Sequence, residues 1–108
     1  MTDLLSTNFI KLTTQIHSKI HSGKTEFTNE DKLASIVKIS EELGELADQV
    51  LGSIKHQRVD KNNSIEELEG EFADVIMSTI MLAHTYKIDI NTALENKLKI
   101  IKKRFGIE

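Results

Sequence analysis

Two pairs of acidic residues in this sequence have the spacing needed for a shared metal site. Glu42 and Glu45 are three residues apart, and so are Glu71 and Asp74. Residues three apart share one face of an α-helix, so each pair presents two carboxylates in the same direction. If the two helices are antiparallel neighbours, the four carboxylates meet. Oxygen ligands without histidine or cysteine select a hard cation, Mg²⁺ or Mn²⁺.

The second acidic pair belongs to the most apolar segment of the chain. Residues 65–84 have apolar side chains in nearly every direction around a helical wheel, which predicts a central helix surrounded by other helices. Between residues 72 and 83, Asp74 is the only charged residue. A buried carboxylate without a partner is costly. We therefore expect Asp74 and Glu71 to share a cation at an apolar centre.

The rest of the chain also has helical periodicity. Apolar spacing predicts helices over residues 3–20, 29–56 and 65–86, followed by a last helix from about residue 90. Thr28 with Asp31, and Ser64 with Glu67, have the spacing of capping boxes, and Asp89 can cap the last helix. These signals predict an all-α, four-helix bundle-like protomer that forms a single domain over residues 1–108.

Basic residues near the end of the chain divide into two groups. The last helix has an apolar stripe, predicted to be buried, formed by Leu94, Leu98, Ile101 and Phe105. Lys97 and Arg104 lie along the edge of this stripe, two turns apart, so they can reach inward. The other three lysines of this helix lie opposite the stripe. The loop cations Lys55, Arg58 and Lys61 either are solvated or meet phosphates.

Composition limits the class of protein. The 108 residues include no cysteine and no proline, and the net charge is −3. This charge argues against a partner that is a nucleic acid polymer. The absence of cysteine and of any membrane-length apolar stretch leads us to expect a soluble cytoplasmic protein.

Three histidines and one phenylalanine are weaker candidates for a site. His17 and His21 are one turn apart, a spacing that suits a transition metal, but without a third ligand we expect solvated or capping side chains. We expect His84 to bond to a backbone carbonyl. Phe27, just before a helix cap, is either a hydrophobic staple or a side chain that closes over a flat ligand such as a base.

The acidic pattern resembles a known signature. The segment EELGE, followed after 25 residues by EFAD, is similar to the EExxE…ExxD motif of the MazG-like all-α nucleoside-triphosphate pyrophosphohydrolases. This superfamily includes dimeric dUTPases, dCTP pyrophosphatases and phosphoribosyl-ATP pyrophosphatases. The resemblance extends over about residues 33–105, because the closing ALENKLKIIKKRF is similar to the family's final helix.

The resemblance implies a reaction and a role for each matching residue. The reaction is Mg²⁺-dependent hydrolysis between the α- and β-phosphates, which gives a nucleoside monophosphate and pyrophosphate. Glu41 would orient or deprotonate the attacking water, and Lys97 and Arg104 would bind phosphate. The metal ligands would be Glu42, Glu45, Glu71 and Asp74.

Some features separate this chain from the family or leave alternatives open. The family often has asparagine where Ile101 stands, and tryptophan or tyrosine around the base, whereas here Phe27 and Tyr86 are the aromatic candidates. One alternative is a non-catalytic helical protein that binds a nucleotide or metal, or serves assembly. Another is a phosphoribosyl-ATP pyrophosphatase-like enzyme.

The apolar surface exceeds what one small bundle can cover, so we expect a homodimer or homotetramer with an active site shared between subunits.

Overall fold

The computed structural model describes residues 4–54 and 64–108, and these residues contain helices but no strand. The helices are α1 (Thr7–Ile20), α2 (Asn29–Ser53), α3 (Ile65–Thr85) and α4 (Ile90–Arg104). The all-α prediction is therefore confirmed. No helix within the described ranges combines the length and the apolar character that crossing a bilayer requires.

Local capping interactions set the helix starts. Thr28 and Asp31 form the predicted capping box, in which Thr28 N donates to Asp31 Oδ2 over 2.8 Å and Asp31 N donates to Thr28 Oγ1 over 3.1 Å. Asp89 caps α4 as predicted, and Ser64 Oγ accepts from Glu67 N at the start of α3. The first helix begins later than the predicted residue 3, because the cap is Ser6. The predicted end of α2 at residue 56 lies outside the described residues.

Helices α2 and α3 form an antiparallel pair, which is the main contact of the fold. Near one end, Lys32 Nζ lies 4.8 Å from the centre of the Tyr86 ring. Near the other end, the carboxyl groups of Glu45 and Glu71 are within hydrogen-bonding reach of each other. Residue numbers thus rise along α2 as they fall along α3. This is the arrangement that the acidic motifs require.

Helix α1 packs against α3 through polar side chains. Thr13 and His17 are its buried residues, and His17 is only 2% exposed. His17 Nδ1 lies 2.9 Å from His84 Nδ1, a hydrogen bond that joins the two helices. The expectation that His17 is solvated or caps a helix is therefore wrong. His84 bonds to this second imidazole and not to the backbone carbonyl that we expected.

Helix α4 is attached at its beginning. The side chain of Asn91 accepts from Leu5 N over 2.8 Å and donates to Leu5 O over 3.2 Å. Beyond this point α4 makes little contact with the other described helices. Its apolar stripe, predicted to be buried, is exposed, with fractions of 37% at Leu94, 46% at Leu98, 38% at Ile101 and 70% at Phe105. That prediction is wrong for the single chain, because no neighbouring helix covers the stripe.

The single chain buries few apolar side chains. Among the described residues, Ile80 is the only buried apolar residue, and Phe72 and Ile76 of α3 are about half exposed. The prediction of a fully surrounded α3 is therefore wrong within one chain. The radius of gyration is 16.5 Å, whereas a compact chain of this length has about 13 Å. Exposed apolar faces of this extent are the observation on which the expected homodimer or homotetramer rests, and that assembly stays a prediction.

The histidine contact predicts an acid-sensitive fold. Burial, followed by the nearby His21 and His84, lowers the pKa of His17 from 6.5 to about 4. A lowered pKa means that the stabilisation is complete above the unfolded value and is lost as the pH falls through the folded value. We expect the free energy of unfolding to fall by as much as about 3 kcal/mol over this window through His17 alone. Urea unfolding of the wild type and of His17→Phe across this pH range measures it.

The substituted protein should show a weaker pH dependence than the wild type, although its stability at neutral pH is lower. Lys19→Gln is the control, because Lys19 is exposed on the same helix and is not among the groups that shift the pKa of His17. It should keep the wild-type pH dependence. An equal loss of stability with acid in the wild type and in His17→Phe would contradict the prediction.

Candidate metal centre

Three carboxylates converge where α2 and α3 pass each other. Glu42, Glu45 and Glu71 each offer one oxygen, and these oxygens all lie within 4.8 Å of one another. The spacing of three residues places the first two on one face of α2, and the antiparallel pairing brings α3 alongside. Glu42 is buried, Glu71 is half-buried and Glu45 is exposed. The cluster therefore lies at the edge of the helix pair and is open on one side.

Asp74 lies beside this cluster and is not one of the three converging residues. Its side chain is within hydrogen-bonding reach of Glu42. Desolvation by the neighbouring side chains, and then the negative charge of Glu42, raise the pKa of Asp74 above its usual value. The residue itself is exposed, so the expectation that it lies at an apolar centre is wrong. The single chain does not cover this part of α3.

Glu71 is the carboxylate of the cluster that combines a raised pKa with an oxygen that has no hydrogen-bond partner among the described residues. Desolvation, and then the charges of Glu45, Asp74 and Glu42, raise its pKa. One of its oxygens, Oε2, is buried without a hydrogen-bond partner among the described residues. A buried acceptor without a partner, surrounded by like charges, is stabilised by a proton or a metal ion. The oxygen-only donor set thus fits a hard divalent cation.

Lys38 neutralises part of the cluster, and sequence reasoning missed it. Its Nζ lies 3.2 Å from Glu42 Oε1 and 3.8 Å from Glu41 Oε2. The hydrogen bond to Glu42 and the negative charge of that residue raise the pKa of Lys38. The i, i+4 spacing between Lys38 and Glu42 was the available signal. Glu41, the candidate for orienting water, is exposed on the same helix.

A cavity of about 470 Å³ lies between α1, α2 and α3, next to the carboxylates. Lys38, Glu42 and Asp74 line one end. Ser35 is nearly two turns before Glu42 on α2, so the cavity continues along the helix pair away from the acidic cluster. The other lining residues include the apolar side chains of Ile20, Met77 and Met81 and the imidazoles of His17 and His21.

An aromatic cluster supports the histidine end of the cavity. The ring of Phe27 stacks on His17, with centroids 4.9 Å apart and an angle of 20° between the rings. Phe27 also meets the rings of His84 and His21 at 5.2 and 5.5 Å. In the described structure Phe27 does not line the cavity, because the imidazole of His17 lies there instead. A direct contact between Phe27 and a ligand base thus remains a prediction.

The predicted phosphate-binding residues are not brought to this cluster within one chain. Lys97 and Arg104 are exposed on α4, the helix that projects from the rest of the chain. Across residues 4–54 and 64–108, no ion pair joins either of them to the acidic cluster. The loop cations Lys55, Arg58 and Lys61 lie outside the described residues. Any role of these five residues stays a prediction.

The fold and this site define an all-α protein with a carboxylate cluster that suits a divalent cation beside a cavity. The family model of the MazG nucleotide pyrophosphohydrolase domain matches residues 30–105. The chain therefore belongs to the MazG nucleotide pyrophosphohydrolase family, and the resemblance seen in the sequence is confirmed. Comparison with curated proteins and with solved structures gave no match.

The repulsion in the cluster predicts that one carboxylate can be replaced with a gain in stability. Because the folded pKa of Glu71 is raised, its contribution to stability is present at low pH and is lost as the pH rises through that pKa. Glu71→Gln should therefore raise the melting temperature at neutral pH in the absence of divalent cations. The same change should weaken Mg²⁺ or Mn²⁺ binding by roughly tenfold or more. Thermal unfolding with and without each cation measures both effects.

Glu69→Gln is the matched control, since Glu69 is exposed on the same helix and is not one of the three converging residues. It should leave the melting temperature and its response to the cation unchanged. A Glu71→Gln protein that melts below the wild type without metal, yet keeps the full response to Mg²⁺, would contradict the prediction.

Proposed function

We propose that this protein is a Mg²⁺-dependent nucleoside triphosphate pyrophosphohydrolase, in which Mn²⁺ can replace Mg²⁺. It hydrolyses the bond between the α- and β-phosphates of ribo- or deoxyribonucleoside triphosphates and releases a nucleoside monophosphate and pyrophosphate. The observation that carries the proposal is the convergence of Glu42, Glu45 and Glu71 within 4.8 Å, next to a cavity. Membership of the family supports it.

Each acidic residue of the site has a proposed role in this reaction. Glu42, Glu45 and Glu71 would hold the metal ion, and Asp74 extends the acidic surface beside Glu42. When bound, such an ion supplies charge neutralisation for the phosphates. A water oxygen would form a bond to one of the two phosphorus atoms that share the α–β bridging oxygen, the bridging oxygen would leave on the other phosphorus, and Glu41 would orient the water or accept its proton.

We further propose that the protein acts as a homodimer, or as a homotetramer built from two dimers, in the cytoplasm. The apolar stripe of α4 is exposed, and Ile80 is the only buried apolar residue among those described. Helix α4 carries five basic residues and one acidic residue, whereas the site is acidic. This charge complementarity favours α4 of the partner subunit at the site, where its Lys97 and Arg104 would bind phosphate.

A substrate panel tests the reaction. Each of the common nucleoside and deoxynucleoside triphosphates, and phosphoribosyl-ATP, is incubated with Mg²⁺, and the products are separated by chromatography. We expect a monophosphate and pyrophosphate from at least one triphosphate. Glu42→Gln should lower kcat by roughly 100-fold or more, because a ligand of the charge-neutralising centre is lost. The control Glu69→Gln should keep the wild-type rate.

Release of orthophosphate in place of pyrophosphate would contradict the proposed cleavage site. No product from any triphosphate, together with nucleotide binding, would favour the non-catalytic alternative. Preference for phosphoribosyl-ATP would identify the other enzyme class.

A mixing experiment tests the shared site. Glu42→Gln and Arg104→Ala should each be nearly inactive alone. If Arg104 acts in the partner's site, hybrid dimers contain one site without either defect, and an equal mixture should recover about a quarter of the wild-type activity. No recovery, although native mass spectrometry detects the hybrid dimers, would place both residues in one chain's site. A monomer in sedimentation velocity would contradict the dimer itself.

A further inference from the structure

Helix α1 is joined to the rest of the chain by hydrogen bonds near its two ends. Just before its start, Leu5 N donates to the side-chain oxygen of Asn91 over 2.8 Å, and Asn91 Nδ2 donates back to Leu5 O. Near its end, His17 Nδ1 lies 2.9 Å from His84 Nδ1 on α3. Apolar burial adds little, because large side chains of α1 are about half exposed or more: Leu12, Ile16 and Ile20. The histidine bond therefore fixes the end of α1 on α3.

The residues that follow α1 form a hinge next to an anchored segment. Ser22 has a φ of 59° and Gly23 a φ of 81°, so the chain turns sharply directly after the helix. The connection is tied down two residues later, where Lys87 Nζ donates to Thr25 O over 2.8 Å. Changes in the torsion angles of Ser22 and Gly23 thus let the end of α1 move while the chain from Thr25 onward stays in place.

The histidine bond tolerates one added proton but not two. In the neutral pair one Nδ1 donates and the other accepts. The first added proton goes to His84, which is half-buried, whereas His17 is only 2% exposed. The charged His84 still donates from Nδ1 to His17 Nδ1, so the bond remains. A second proton must go to His17 Nδ1, because His17 Nε2 already carries one when Nδ1 accepts. Both Nδ1 atoms are then donors, and the bond is lost.

The groups around His17 oppose its charged form. Burial, and then the charges of His21 and His84, lower the pKa of His17 to about 4. Asp31 acts in the opposite direction. Its carboxylate is already neutralised by Lys24, whose Nζ lies 2.6 Å away. A proton on His17 is therefore accommodated better when the imidazole leaves its buried position than when it stays there.

The other elements packed around the pair do not compensate for this charge. Phe27 stacks on His17 without contributing a formal charge. Burial, and then the positive charge of Lys87, lower the pKa of His84. The remaining charged residues that line the cavity come from α2 and α3 and form its opposite end: Lys38, Glu42 and Asp74.

We propose that the bond between His17 and His84 is a proton-operated latch. When His17 Nδ1 takes up a proton, the end of α1 separates from α3, while α2 and α3 stay paired. The hinge after α1 absorbs the movement, and the bonds to Asn91 keep the start of the helix in place. Because α1 supplies part of the cavity wall, this movement opens the cavity on that side. The inference does not depend on the proposed reaction.

Methionine methyl groups report the opening directly. Two of the three methionines of the chain, Met77 and Met81, line the cavity from α3. The full-length protein with isotope-labelled methionine methyl groups is followed by NMR from pH 7 to pH 4, with circular dichroism on the same samples. Both signals should move in one step between pH 6.5 and pH 4, while most of the helical signal is retained. Signals that stay in place until the helical signal collapses would overturn the proposal.

Two substitutions assign the step to the latch. His17→Phe keeps a ring for Phe27 to stack on but has no nitrogen to protonate, so the step should be lost. Asp74→Asn is the matched control, because it removes a carboxylate that lines the same cavity and leaves the histidine bond in place. It should keep the step. A step that persists in His17→Phe would belong to the acidic residues and would overturn the proposal.

Amide hydrogen exchange of the wild type locates the opening and requires no substitution. A released helix of this length is marginal in water. After correction for the intrinsic pH dependence of exchange, the protection of residues 12–20 should fall roughly tenfold or more between pH 7 and pH 4.5, whereas that of α2 and α3 should change by less than about threefold. An equal loss in all three helices would mean that acid destabilises the whole fold, and would overturn the latch.

Discussion

The antiparallel contact between α2 and α3 forces like charges together, and this repulsion governs the site. Three carboxylate oxygens lie within 4.8 Å of one another, although a folded chain ordinarily separates such groups. Lys38 offsets the charge of Glu42 at 3.2 Å, but Glu71 Oε2 keeps no partner among the described residues. The helix pairing thus holds three carboxylates in an arrangement that is unfavourable without a cation and becomes favourable when a cation binds. The carboxylates that suit a cation therefore lower the stability of the folded chain when no cation is bound.

The parts of this structure that the sequence predicts are those determined by neighbours in the chain. The Thr28 capping box and the pairing of Glu42 with Glu45 depend on spacings of three residues, and helical geometry fixes the outcome. The bond between His17 and His84 joins residues 67 positions apart, so it depends on how α1 lies on α3. No periodicity encodes that angle. His17, which we expected to be solvated or to cap a helix, and His84, which we expected to bond to a backbone carbonyl, instead bond to each other.

The remaining errors share one cause, which is that a pattern identifies an apolar face but not the molecule that covers it. The stripe of α4 and the outer face of α3 were expected inside the bundle, yet Phe105 is 70% exposed and Phe72 is 50% exposed. Asp74 is exposed for the same reason, because it stands on a helix that the single chain covers incompletely. Its closeness to Glu42 was predictable from the motif. Its solvent exposure depends on how completely the other helices cover α3, which no local motif specifies.

The turn after α3 also has a mechanical consequence for the cavity. Lys87, in the short connection from which α4 departs, donates from Nζ to Thr25 O over 2.8 Å and pairs with Glu26 at 3.4 Å. Both partners immediately precede Phe27, whose ring supports the imidazole of His17. The direction of α4 and the aromatic support of the pocket are therefore coupled through one lysine. A molecule that displaced α4 would therefore also shift Phe27 and the cavity wall that it supports, without contacting that wall.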